Sequence, residues 1–156
     1  MGTATTTTTT MTMTTTTTTE RGGTNTAVAT WEGGWLCSVE AGGFRLVVDE
    51  PAAVGGTGLG PMPTDLLLAS LSSCYALALA WAAKKRGLDL PDLEVTATGS
   101  YSGQKFGALV LTVRTSLPAE HVEPLLDPAK RVCYVSNTFA HVPEVQVALA
   151  APTPGL

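Results

Sequence analysis

Between Thr24 and Pro51 apolar and polar residues alternate in short runs separated by paired glycines. TNTAVATWEGG, WLCSVEAGG and FRLVVDEP carry the period of two that sends successive side chains to opposite faces of a strand. Gly33-Gly34 and Gly42-Gly43 mark the turns, so a three-stranded meander is predicted. The loop GGTGLGPMP, residues 55–63, then breaks the alternation. It has neither the P-loop pattern nor that of a dinucleotide fingerprint, and reads as a tight backbone path into a helix.

From Thr64 to Arg86 the pattern changes. Apolar residues occupy every face, which predicts a helix buried all round. Thr64 suits its N-cap, Asp65 its positive end and Lys84-Lys85-Arg86 its negative end, with Gly87 as the stop. Alternation returns in LEVTATGSYS and KFGALVLTVRTSL, a hairpin turning at Ser102-Gly103-Gln104. A second helical region follows Pro118, interrupted by Pro124 and Pro128, and runs to about Ala140. EVQVALA closes the chain as a last strand. The order βββ-α-ββ-α-β, with strands and helices segregated, is that of an α+β domain.

Composition narrows the function. Residues 1–19 hold 14 threonines, so residues 1–23 read as a low-complexity tail and 24–156 as one domain. The net charge is -4, and no basic stripe follows a phosphate backbone, which argues against nucleic-acid binding. Leu66–Ala83 is an uncharged run flanked by basic residues, the pattern of a membrane span. Three serines dilute it, and the strands need a core to pack on, so a central helix is the expectation and a membrane span is not. Hydrophobic residues make up 44% and charged residues 14%, which suggests apolar surface covered by a second subunit. No secretory signal is visible, so a reducing, cytoplasmic setting is expected.

The chemistry-bearing residues are few. Cys37, Cys74 and Cys133 have no metal-ligand spacing, and neither have His121 and His141, so no bound metal is expected. Cys37 shares a strand face with Trp35 and Val39 and reads as core. Cys74 lies about 15 Å along its helix, beyond the reach of the helix dipole. Its neighbours on the same face include Leu67, Leu71, Ala78 and Trp81. A dry surface raises a thiol pKa, so these residues alone favour a buried packing cysteine over a reactive one. Cys133, in RVCYVSNTF, could meet it only through tertiary structure.

VDEPAAVGGTGLGPMPTDLLLASLSSC and the later CYVSNTF resemble the osmotically inducible protein C and organic hydroperoxide resistance (OsmC/Ohr) family. Gly55-Gly56, Gly60-Pro61, Pro63, Asp65, Cys74 and Cys133 with Val135-Ser136 follow the family's order. The resemblance implies an α+β fold of antiparallel strands wrapped around a long buried central helix, in an intertwined homodimer. It implies a thiol-dependent peroxidase for organic hydroperoxides, without a bound cofactor and regenerated by an external dithiol or lipoyl-type reductant. By position Cys74 is the peroxidatic cysteine and Cys133 the resolving one.

The family's activating arginine stands in the first hairpin, where TWEGGW has none. Arg45 is the nearest candidate for that role, ahead of Arg21. The family's glutamate corresponds to Asp65, which is nine residues before Cys74 and so about 180° away on a straight helix. It either caps the helix or acts from a bent start or across the dimer. The alternative is an OsmC-fold homodimer with weak or no peroxidase activity that binds an apolar ligand or serves another thiol role.

Overall fold

A computed structural model describes residues 23–151. The threonine-rich tail expected at the N-terminus therefore lies outside the described residues, apart from Gly23. Strands β1 (Ala27–Gly33), β2 (Leu36–Ala41) and β3 (Phe44–Val48) form the expected antiparallel meander. Trp31 is in register with Cys37, and Cys37 with Val48. That register gathers Ala29, Trp31, Cys37, Val39, Phe44, Leu46 and Val48 on one face, while Thr30, Glu32, Ser38, Glu40 and Arg45 take the other. The apolar face is open: Trp31 is 70% exposed and Phe44 75%.

The loop from Asp49 to Met62 is organised by one buried carboxylate. Asp49 Oδ2 accepts the Thr57 hydroxyl at 2.5 Å, the Thr57 N–H at 3.0 Å and the Leu59 N–H at 3.2 Å. Its Oδ1 accepts the Glu50 N–H at 2.8 Å. The Thr57 hydroxyl is the largest influence holding its pKa down at about 2, and the three N–H groups help against the opposing effect of its burial. Two glycines let the loop fold this closely. A Cβ on Gly56 would strike the Glu50 carbonyl, and one on Gly60 the Val47 carbonyl.

Helix α1 spans Pro63–Lys84. Its N-cap is Met62 rather than Thr64, because Pro63 supplies the pre-set first helical turn. The Thr64 hydroxyl instead accepts from the Tyr101 hydroxyl at 3.0 Å. The helix is long and apolar enough to cross a membrane, yet it buries Leu71, Tyr75, Ala78, Leu79, Ala82 and Ala83 inside the domain. Burial all round is not observed within one chain: Leu77 is 74% exposed and Trp81 49%.

Strands β4 (Glu94–Ser102) and β5 (Lys105–Arg114) form the second antiparallel sheet, turning at Gly103-Gln104 as expected. The last helical region divides into α2 (Ala119–Val132) and α3 (Tyr134–Ala140), with Cys133 at the break. Pro124 and Pro128 do not interrupt α2. A proline at 128 removes the N–H that would satisfy the carbonyl of residue 124. The Arg86 guanidinium replaces it, donating from Nη1 to the Pro124 oxygen at 2.9 Å. The expected strand EVQVALA is not formed: residues 142–151 carry no element, and Val145, Val147 and Leu149 are 82%, 94% and 100% exposed. A strand needs a neighbour's ladder, and no described strand pairs with it.

Asp49 titrates lower in the folded chain than the ordinary carboxylate value of about 3.9. Its contribution is complete above about pH 4 and is lost as pH falls through about 2. Thermal melts should show a midpoint falling across that window, and Asp49→Asn should flatten the fall and lower the midpoint at pH 7. Arg86→Ala should destabilise the fold by about 1 kcal/mol, the worth of one partly exposed hydrogen bond, measured by urea unfolding.

Candidate active site

Cys74 stands on the border between the buried and open faces of α1, one position before buried Tyr75. Cys133 closes α2 and caps α3, which puts its side chain at a break between two helices. Packing of α1 against α2 and α3 brings the two cysteines together across 58 intervening residues. Cys133 has 0% exposure, while Cys74 is partly exposed.

Four influences set the Cys74 thiol. Burial, the largest, pushes its pKa up. The N–H of Val135 opposes this by favouring the thiolate, and so does the N–H of Tyr134 to a lesser degree. Cys133 raises it further, through a thiol–thiol hydrogen bond and through charge. No cation appears among these influences. The Cys133 sulfur is itself held by Ser136, whose hydroxyl donates to Sγ at 3.1 Å and whose N–H lies at 3.5 Å. Tyr75 donates its hydroxyl to the Leu126 carbonyl at 2.9 Å. Its pKa is raised by burial first, then by the charges of Cys133 and Asp127.

Asp65 and Arg45 stand apart from this pair. The Asp65 carboxylate accepts the Met62 N–H at 3.0 Å, so within the chain it is a helix cap. Arg45 is exposed on β3 opposite Glu40, on the polar face of the first sheet. Cys37 lies between Trp31 and Val48 on the open face of that sheet and is half-buried, so within one chain it is not part of the core. His141 follows α3 with Nδ1 3.3 Å from the Asn137 carbonyl and is exposed. Among the described residues no group of three or more metal-ligating side chains occurs.

Beside the sulfur pair runs a groove of about 790 Å³ between α1, β5, α2 and α3. Leu71, Tyr75, Leu111, Leu126, Ser136 and Phe139 are part of its wall. Neither sulfur lines it, but Leu71 and Tyr75 flank Cys74 on the helix and Ser136 bonds Cys133. The arrangement sets two adjacent thiols, which together can give two electrons to an oxidant and close to a disulfide, next to a largely apolar groove whose wall also holds Arg114, Glu123 and Lys130. Sequence reasoning named Ser136 only as part of the motif and missed its bond to the sulfur and the two amides. Their one visible signal was spacing: Ser136 is three residues after Cys133, the relation of an N-cap to the N3 residue.

A family model described as OsmC-like protein matches residues 56–148. Among solved structures, the chain is similar to an organic hydroperoxide resistance protein OsmC from Legionella pneumophila. The identity is 27% over 77% of this chain and 91% of that one, with a TM-score of 0.62. It is also similar to a putative organic hydroperoxide resistance protein of Vibrio cholerae holding captopril in one of its active sites. There the identity is 26%, covering 76% and 85% of the two chains, with a TM-score of 0.57. OhrB of Bacillus subtilis shares the fold at 24% identity over 74% and 90%, with a TM-score of 0.59. No curated protein matches the chain.

Tyr134→Pro tests the role of the amides. Proline is tolerated in the first turn of a helix but removes one N–H that favours the thiolate. Alkylation of Cys74 by iodoacetamide at pH 8 should slow, by about tenfold at most for one hydrogen bond to a charged sulfur.

Proposed function

This chain belongs to the OsmC-like family, and on that premise we propose that it is a thiol-dependent peroxidase for organic hydroperoxides. Solved relatives named for organic hydroperoxide resistance support peroxide-related redox chemistry. The single observation that carries the finer reading is the meeting of Cys74 with Cys133.

In this reading the Cys74 thiolate attacks the terminal oxygen of ROOH. The O–O bond breaks, the alkoxide leaves and takes a proton as alcohol, and Cys74 becomes a sulfenic acid. Cys133 then attacks that sulfur, water departs and a disulfide forms. An external dithiol, such as a lipoyl-type reductant, restores both thiols by exchange. No bound cofactor enters. The apolar groove favours hydroperoxides with a hydrocarbon body over hydrogen peroxide, and the chemistry belongs in a reducing, cytoplasmic setting.

The working unit in this proposal is a homodimer. The apolar face of the first sheet makes no extensive contact with any helix of its own chain, and the open side of α1 exposes Leu77 and Trp81. A second copy laying its sheet over that helix covers both surfaces. Arg45 stands on the opposite, polar face of that sheet, so as the proposed activating cation it must reach the partner's thiol around the sheet edge, where a cation lowers the pKa. Asp65 is assigned the positioning of that arginine across the interface, in addition to its cap. One observation favours the alternative of a weakly peroxidatic thiol protein with an apolar ligand: among the described residues of the protomer no cation acts on Cys74.

The reduced protein titrated with cumene hydroperoxide should lose both thiols and show a Cys74–Cys133 bridge in its peptide map. Survival of both thiols in excess peroxide would sink the proposal. Cys74→Ser should drop turnover to the uncatalysed level, and Cys133→Ser should accumulate the sulfenic acid. Light scattering should give twice the chain mass. Arg45→Ala should lower the peroxide rate near pH 7 by about tenfold or more, as loss of a neighbouring cation predicts; an unchanged rate assigns the activation elsewhere.

A further inference from the structure

The two sulfurs of the proposed bridge are not equivalent. Cys133 has 0% exposure. It sits at the junction of α2 and α3, and its Sγ already accepts the Ser136 hydroxyl at 3.1 Å and the Ser136 N–H at 3.5 Å. Cys74 is partly exposed at the edge of α1, and among the described residues it is served by the N–H groups of Val135 and Tyr134 and by no side-chain donor other than the Cys133 thiol.

Thiol–disulfide exchange runs along the line of the sulfur–sulfur bond, so the attacked sulfur must be reachable and the departing one must carry negative charge. Within the protomer access favours Cys74 as the attacked sulfur, because Cys133 is closed off by its own chain whatever the partner covers. Backbone N–H groups serve both sulfurs, but only Cys133 has a hydroxyl donor, the Ser136 Oγ. A hydrogen bond to a charged acceptor is worth more than one to a neutral acceptor, so this donor favours Cys133 as the leaving sulfur. Both asymmetries point the same way.

We infer that the reducing thiol attacks Cys74 only, and that Ser136 is a positioning residue that holds Cys133 as it departs. The inference rests on the Cys74–Cys133 bridge proposed above. An incoming thiolate donates its electron pair to Cys74 Sγ, forming a mixed disulfide. The Sγ–Sγ bond breaks and its pair stays on Cys133, received by the Ser136 hydroxyl and N–H and then by a proton from water. The second thiol of a small dithiol reductant attacks the reductant's own sulfur in the mixed disulfide. Cys74 leaves as thiolate, and the reductant departs as its cyclic disulfide. The partner chemistry that fits is a slender dithiol able to reach a half-buried sulfur.

The bridge is first formed with diamide, which bypasses the peroxide step. Oxidised protein is then mixed briefly with 2-mercaptoethanol, acid-quenched and alkylated, and its peptides are weighed. The expected adduct is on the Cys74 peptide, with Cys133 alkylated. An adduct on Cys133 overturns the inference while leaving the peroxidase reading intact. If diamide forms no bridge, the peroxidase reading itself fails, and the inference with it. Ser136→Ala should slow bridge cleavage by 2-mercaptoethanol about tenfold, toward the low end for a hydrogen bond to a charged group. Ser136→Thr, which keeps the hydroxyl, should restore most of the rate. Cleavage of the Ser136→Ala bridge at the wild-type rate removes Ser136 from the step.

Discussion

Close packing between α1 and the α2–α3 pair is the constraint on which the site depends. Leu79, Leu125, Ala129 and Cys133 all have 0% exposure at that contact. Ala78, Ala82 and Ala83 line the α1 side of the same core. Small residues let helix backbones approach, and interiors at this density do not tolerate slack. A sulfur carried on each helix therefore arrives at its partner as a result of packing that has nothing to do with sulfur. Separate the helices and both cysteines revert to isolated thiols.

At Cys74 two tendencies compete. The apolar surroundings that make room for an organic substrate are the same that discourage a negative charge. The Val135 and Tyr134 amides answer this partially and from within the chain. Backbone donors at the start of α3 are available because the first turn of any helix leaves its N–H groups unpaired. Putting Cys133 at the break thus does two things: it supplies the second sulfur and it aims unpaired amides at the first.

Much of this was legible in the chain. Glycine pairs and strict alternation located both sheets, and an unbroken apolar run located α1. Motif order identified the family and the two cysteines. Five things were not legible, each for a physical reason. Burial all round was inferred for α1 from composition, but one chain alone cannot cover Leu77 and Trp81. EVQVALA alternates like a strand, yet alternation encodes a face and not a partner. Pro124 and Pro128 read as interruptions because proline lacks a donor, and the replacement donor stands far away in sequence. Ser136 entered only as a motif residue, because a hydroxyl shows no role until the sulfur beside it is located. Asp49 was equally silent: an acid after a strand looks like a surface charge until the loop folds back over it.

Arg86 carries a consequence of its own. The hydrogen bond it gives to the Pro124 carbonyl belongs formally to the ladder of α2, but the donor is encoded at the end of α1. Helix α2 is therefore not a local structure. Its segment, with two internal prolines, lacks the donors to finish itself and must wait for α1 to arrive. Nascent chain emerging after α1 has this donor already made. A rearranged chain order that placed α2 first would not, and Cys133 would have no fixed address until the last contact closed.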